Sequence, residues 1–480
     1  MAYGEENFCE DYFVLKPEDA GLFDLVRFLF SSDLENMKFL ECSEQAKLIG
    51  FWRRWLLFVS VVVQKLLMNL KVPMAATGYM IEIWLNLLAN NRGFFGLLLN
   101  LLRGSAVLPE KSSATFKSVV GNLDTRVELD RSINGAYGRY AAQLSMMAAK
   151  LAYENEAFVR TIITDHWKME FLGYFNFWND YLDQPSTEAI MFNDTASSSP
   201  GLIVVAFRGT DSFDSYDWRT DVDFSWYQIQ GAGKIHAGFM KALGLQKNTG
   251  WPKEIGRAQG PHLFAYYTIR EKLRVLLSKS EARFVVTGHS LGGALAILFA
   301  GVLALHEEAW LLDRLEGVYT FGQPRVGDGQ FGKFMEGKLR FYKVKYMRYV
   351  YCNDIVPRLP YDDKTLLYKH FGNCFYFNSW YKGKVMREEP NKNYFSLLWA
   401  MPKCLTALWE LIRSFIIPLT RGKEYKEGWF MTLLRVVGFV VPGLSAHSPT
   451  DYVNVTKLGS LPPHELRVED PTHSHGRKHD

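Results

Sequence analysis

Apolar positions along this chain fall into runs of two kinds. Short, β-branched runs bounded by Gly, Pro or polar residues predict buried strands: Leu202-Ile203-Val204-Val205-Ala206-Phe207, Phe284-Val285-Val286-Thr287, Val318-Tyr319-Thr320-Phe321 and Tyr346-Met347-Arg348-Tyr349-Val350-Tyr351. Between them, helical patterns run from Ile133 to Asn155, from roughly Gly260 to Ser278, and through the Leu-rich, small-residue run that follows Leu291. Strands alternating with helices predict an α/β protein with a mostly parallel central sheet, whose functional groups gather at the carboxyl ends of the strands. The aromatic segment Trp167 to Asp183 fits strand and loop alike, and Asp194 to Pro200 reads as a polar turn. Tyr452-Val453-Asn454-Val455 reads as extended.

The second kind is longer. From about 50 to 103, apolar blocks such as Trp55 to Val63 and Leu97 to Leu99 are interrupted by single charges, among them Lys65, Lys71, Glu82 and Arg92. Pro73 and Gly78 are expected to split this region into at least two helices. No uncharged run reaches the ~20 residues that spanning a bilayer takes. The aromatic and basic flanks therefore predict helices lying in a lipid interface, with an amphipathic pair packed on the core as the plainer reading. A second such tract, about 390 to 445, is punctuated by Lys403, Arg413, Arg421, Lys423 and Arg435. It could equally build a contact between copies in a homo-oligomer. Residues 1 to about 45 carry no motif, and 105 to 131 read as a polar connector.

Composition narrows the class. The chain has 480 residues, 48% hydrophobic and 15% aromatic, with a formal charge of +4. The aromatic share suits a protein that meets an apolar phase, while the mild charge and the lack of basic clusters with interleaved aromatics exclude a nucleic-acid surface. Five scattered cysteines argue against a disulfide framework and for a reducing compartment. Met1 to Glu6 is acidic and unlike a secretory signal, so the sequons at Asn193 and Asn454 carry no weight. The His-rich end, His473 to Asp480, reads as a disordered tail rather than a metal site.

The candidate chemistry centres on Gly288-His289-Ser290-Leu291-Gly292, placed between a strand and a helix. That context makes the pentapeptide a nucleophile elbow. Gly288 and Gly292 sit where a Cβ would clash, and Ser290 stands exposed before a helix N-terminus that favours developing negative charge. Arg208-Gly209-Thr210, closing a strand, offers an amide and a hydroxyl to an oxyanion. The segment Asp211 to Trp226 reads as a short amphipathic lid or, more plainly, as a surface loop. A Ser hydroxyl needs a base and a group that orients the base. Asp354 is favoured as the acid because it lies just past a strand end. Asp328, bracketed by Gly327 and Gly329, suits a turn, and Asp362 and Asp363 lie in a polar loop. Chain order places the base after the acid, leaving His447 and His370. His447 is favoured because His370 lies too close to Asp354 for a return segment. His289 should point away from Ser290, and His236 reads as structural.

These marks together resemble the class 3, fungal-type lipases of the α/β-hydrolase fold. They are Phe207-Arg208-Gly209-Thr210, His236-Ala237-Gly238-Phe239, Gly288 to Ala294, Phe321 to Gly327 and Asn353-Asp354-Ile355-Val356-Pro357. The resemblance implies a Ser290, His447 and Asp354 triad, an oxyanion hole from Thr210 and Leu291, no cofactor and no metal. It also implies a lid in the segment after Thr210. The long N-terminal apolar extension and the apolar helical insert before His447 depart from the compact fungal pattern and resemble plant oil-body triacylglycerol lipases. The expected organisation is an N-terminal region, 1–130, with lipid-associating helices; a hydrolase domain, 131–465; and a tail, 466–480. The implied activity is hydrolysis of triacylglycerol or another acyl lipid at a lipid-droplet or membrane surface on the cytosolic face. A phospholipase A1 or galactolipase and a non-catalytic scaffold are the alternatives.

Overall fold

The structure, a computed structural model, describes residues 9–30, 37–42, 50–130, 139–195, 200–245, 262–360, 362, 368–392, 394 and 399–462. Asp363, the start of the helix expected from Ile133 and the His-rich tail lie outside these residues.

One sheet of eight strands organises the fold: β1 (Glu170–Asn179), β2 (Gln184–Asp194), β3 (Leu202–Phe207), β4 (Arg283–His289), β5 (Leu315–Phe321), β6 (Lys345–Tyr351), β7 (Cys374–Phe377) and β8 (Gly383–Met386). Spatial order follows chain order. The pairings from β3 to β7 are parallel; β1 and β2 at one edge and β8 at the other join antiparallel. All six residues of β3 are buried, which is why it reads as an unbroken apolar run rather than an alternating one. Ile203, Val205 and Phe207 enter one core cluster, Leu202, Val204 and Ala206 the other. The aromatic segment left open by the sequence contains β1, paired along its length with β2.

The helices that position the site are α1 (Phe51–Asn90), α2 (Arg139–Leu151), α3 (Ser215–Val222), α4 (Ala265–Leu277), α5 (Leu291–Leu305), α6 (Gly329–Phe341), α7 (Ala400–Arg421), α8 (Trp429–Val437) and α9 (Pro449–Leu458). Parallel strands laid down in sequence, each joined by a right-handed crossover, put the connecting helices on one face. Accordingly α4, α5 and α6 share one core cluster, and α2 and α9 share the other. A second, antiparallel sheet of short strands brings Cys9–Leu15 beside Trp226–Ile229. The motif-free N-terminal region thus supplies a strand next to the segment that follows Thr210.

Two local expectations need correction. Pro73 does not divide the first apolar tract: α1 is one helix of 40 residues. It is long and apolar enough to cross a membrane, by length and composition. Proline costs the helix one amide donor, but Pro73 and Asn69, whose carbonyl loses its partner, are exposed and can reach water. Both halves of α1 are also pinned: Ser60 donates to the Val222 carbonyl at 2.5 Å and Lys65 to the Pro17 carbonyl at 3.0 Å, while Gly78 packs on Phe213. Tyr452 to Val455 are helical, not extended. Ser448 caps α9 through the Thr450 amide, Pro449 occupies its first turn and Asp451 favours its positive end, which outweighs two valines.

The insert, α7 and α8, is fastened by buried ions. Arg435 contacts Asp451 at 2.6 Å and Glu427 at 2.7 Å, and Arg413 contacts Asp451 at 2.8 Å. Asp451 lies in α9, four residues after His447. Arg435→Met leaves Asp451 and Glu427 buried with too little positive charge, and removing one partner of such a cluster costs about 3–5 kcal/mol. Denaturant unfolding of wild type and variant checks this; a loss under 1 kcal/mol contradicts it.

Candidate active site

Ser290 occupies the turn between β4 and α5 with φ 59° and ψ −130°, a left-handed φ that a side chain rarely adopts. Two glycines make room for it. A Cβ on Gly288 would stand 2.1 Å from the Gly292 carbonyl, and one on Gly292 would stand 2.3 Å from the Phe207 carbonyl oxygen at the end of β3. The Ser290 amide donates to the Phe321 carbonyl at 2.9 Å, strapping the turn to the end of β5. Leu291 is the first residue of α5, so its amide has no acceptor within the helix.

His447 ends a short 3-10 turn, Ser445–His447, just before α9. Its Nε2 lies 2.8 Å from Ser290 Oγ, and its Nδ1 lies 2.8 Å and 3.0 Å from the two carboxylate oxygens of Asp354. A carboxylate accepts, so Nδ1 carries the ring proton and Nε2 is free to accept from the Ser290 hydroxyl. Asp354 is fully buried past the end of β6. It accepts from the Val356 amide at 2.9 Å and from the Tyr452 hydroxyl. Burial and the nearby Asp354 charge hold the Tyr452 phenol well above its ordinary range, so it stays a donor. The structure therefore brings Ser290, His447 and Asp354 into one hydrogen-bonded line.

Several residues that shape this line were given no role from sequence. Gly322, in the Phe321 to Gly327 motif, has φ 61°, and a Cβ there would stand 2.9 Å from both Asp354 Oδ2 and His447 Cε1. The imidazole fits only because that side chain is missing. The His289 ring does turn away from the Ser290 hydroxyl, and it lies 4.6 Å from the His447 ring, centroid to centroid. Its Nε2 donates to the His447 carbonyl at 3.0 Å, and its Nδ1 accepts from the Tyr153 hydroxyl at 2.9 Å. Burial, then the charge of His447, pushes the His289 pKa well below the usual histidine value, which keeps that ring neutral. The spacing of Gly322 after a strand end is a signal that sequence could have used. The meeting of Tyr153, Tyr452 and His289 depends on packing of helices far apart in the chain and left none.

The Thr210 hydroxyl is already engaged: it donates to Asp221 of α3 at 2.6 Å. Burial pushes the Asp221 carboxyl up to about 7, although the Thr210 hydrogen bond and the His447 charge oppose this. Gly209 lets this loop close on the elbow, since a Cβ there would meet the His289 carbonyl oxygen at 2.5 Å. The rival residues lie elsewhere. Asp328 caps α6, accepting from the Gln330 and Phe331 amides. His370 bonds the Pro357 carbonyl at 2.7 Å beside Glu389, and burial followed by the Arg348 charge depresses its pKa strongly. His236 caps a short helix and stacks on Phe239. Asp362 faces Lys392. Among the described residues no cluster of His, Cys, Asp or Glu could hold a metal ion.

A family model described as lipase (class 3) matches residues 204–364. The chain is 42% identical to a triacylglycerol lipase OBL1 of Arabidopsis thaliana over 501 residues, covering 95% of this chain and 96% of that protein. It is 41% identical to the tobacco (Nicotiana tabacum) protein of the same name over 540 residues, with 93% and 94% covered. Against the Ricinus communis one it is 37% identical, with 93% and 95% covered.

Gly322→Val places two methyls where the imidazole and the carboxylate now sit. Ester turnover should fall by ~10²-fold or more through misplacement of the base, with circular dichroism unchanged; wild-type turnover rejects this packing. Asp221 offers a pH test. Its folded pKa is raised, so its contribution to stability is full below the ordinary value near 4 and is lost as pH rises through about 7. The wild type should therefore lose melting temperature relative to Asp221→Asn between about pH 4 and pH 8. A difference that stays constant over that window contradicts the shift.

Proposed function

The chain belongs to the class 3 lipase family, and on that premise we propose that it is a triacylglycerol lipase, releasing fatty acids with Ser290, His447 and Asp354 as its catalytic residues. The carrying observation is the single imidazole spanning 2.8 Å to the Ser290 hydroxyl and 2.8 Å to the Asp354 carboxylate.

In this reading His447 Nε2 takes the proton of Ser290 as Oγ attacks an ester carbonyl. Asp354 holds the Nδ1–H tautomer and stabilises the imidazolium that results. The imidazolium then gives its proton to the departing glycerol oxygen. Water, deprotonated by the same nitrogen, attacks the acyl-enzyme and releases the fatty acid. The negative oxygen of each tetrahedral intermediate is received by the amides of Leu291 and Thr210 and by the Thr210 hydroxyl, which turns its one proton from Asp221 to the oxyanion. The first of these lies at the positive end of α5.

Two apolar surfaces support work at a lipid interface, the surface of a lipid droplet or a membrane facing the cytosol. On α1 and the following helix, Val72, Met80, Phe95 and Leu102 are exposed. On α7 and just beyond α8, Met401, Phe415, Leu419 and Val440 are exposed. Side chains of this kind, edged by tryptophan and basic residues, bind lipid through buried apolar area.

On purified triolein droplets Ser290→Ala should release no fatty acid, and Thr210→Ala should lose ~10²–10³ in turnover with its fold kept. Full activity in Ser290→Ala rejects the site. Faster release from phosphatidylcholine vesicles than from triolein would transfer the activity to a phospholipase. Met80→Glu with Phe95→Glu should lower the fraction of protein on droplets while leaving hydrolysis of a dissolved ester intact; unchanged partition rejects the N-terminal docking surface.

A further inference from the structure

A cavity of about 350 Å³ lies apart from Ser290, between α1 and the stretch that follows Thr210. It stands at the lower end of the ~300–1,000 Å³ of small-ligand sites. Its walls carry both signs of charge. Lys71 and Glu82 come from α1, Lys111 from the connector, and Asp211 and Asp214 from the facing stretch.

The lysines are steadied by aromatic rings rather than neutralised. Lys71 Nζ stands 4.8 Å from the centre of the Tyr216 ring, and Lys111 Nζ stands 5.8 Å from that of Tyr79. Among the described residues no carboxylate lies within ion-pairing distance of Lys71, and Lys111 reaches Glu82 only at 4.0 Å. On the other side, Asp211 and Asp214 each spend one oxygen on a backbone amide, that of Phe213 at 3.0 Å and that of Tyr216 at 2.8 Å. The second oxygen of each makes no hydrogen bond among the described residues. Glu82 is buried and accepts from the Val119 amide at 3.3 Å. Burial, then the Asp211 charge, raises its pKa, so the carboxylates here already repel one another.

A ligand of one sign suits this space poorly. An anion meets Asp211 and Asp214, and a cation meets the two lysines. A zwitterion satisfies both walls, with its acidic group on the lysines and its ammonium on the aspartates. The rings bear on which ammonium. With lysines standing over Tyr79 and Tyr216, no open aromatic cage is left for a trimethylammonium, which has no N–H to give a carboxylate. A primary ammonium has three. Beside the pocket residues Lys71 and Tyr79 stand Val72, 72% exposed, and Met80, 65% exposed. An apolar path for acyl chains thus begins at the cavity.

We propose that this cavity is a phospholipid headgroup site that takes phosphoethanolamine, with Lys71 and Lys111 on the phosphate and Asp211 and Asp214 on the primary ammonium. This rests on the lipid-interface reading above and adds a choice of surface: the protein settles on lipid that displays this headgroup. The lipid held here is an anchor, not the ester that is cut.

Full-length Ser290→Ala protein, used so that vesicle lipid survives the assay, is floated with vesicles of three kinds. They are phosphatidylcholine alone, and phosphatidylcholine mixed with phosphatidylethanolamine or with phosphatidic acid. Partition onto the phosphatidylethanolamine vesicles should exceed that onto phosphatidylcholine by ~10-fold. Soluble glycerophosphoethanolamine in excess should erase the difference, and glycerophosphocholine should not. Asp214→Asn, which still caps α3, and Lys111→Gln should each remove the preference and leave phosphatidylcholine binding as it was. Equal partition in the parent protein overturns the site, and so does a preference that both variants keep. Tightest binding to phosphatidic acid, lost in Lys111→Gln and kept in Asp214→Asn, reduces the site to two lysines and also overturns it. A protein that floats with no vesicle rejects the lipid-docking reading instead. Calorimetry with glycerophosphoethanolamine then decides the site: binding that weakens in Asp214→Asn upholds it, and binding that does not overturns it.

Discussion

The backbone of Ser290 is the constraint on which the site depends. A serine at φ 59° is held in a region that costs about 1–3 kcal/mol, and it persists because the surrounding chain leaves no alternative. β4 ends, α5 begins at once, and the end of β3 presses on the junction so closely that neither Gly288 nor Gly292 can carry a side chain. The strain has a return. It lifts the hydroxyl out of the sheet toward His447 and aims the first amides of α5 at the same place, which is the arrangement an acyl-transfer centre requires.

Opposite the serine, the base is over-determined. Asp354 fixes one nitrogen of His447, and the neutral His289 bonds its carbonyl. Gly322 leaves room for the imidazole and the carboxylate, and Tyr452 steadies Asp354 from α9. Four residues beyond His447, Asp451 anchors α9 to the insert through two arginines. Burying so many charges is expensive and adds little net stability. What it supplies is geometry: through Asp451 the insert and the segment carrying the base are tied into one block.

The parts of this arrangement that could be read from the chain are those made by neighbours in sequence. The β3, β4, β5 and β6 strands announce themselves as β-branched runs, and the elbow as glycines around a serine. What escaped is tertiary. Tyr153 meets His289 only because α2 crosses beneath β4, and nothing in the local pattern of either residue says so. α1 was misjudged for a related reason. The rule that proline ends a helix assumes that the lost amide must be replaced by local means. Here the freed carbonyl belongs to an exposed residue, Asn69, open to solvent, and contacts at Ser60 and Gly78, on either side of Pro73, hold the axis. Tyr452 to Val455 were misread because the capping residues Ser448 and Pro449, not the valines, decide that segment.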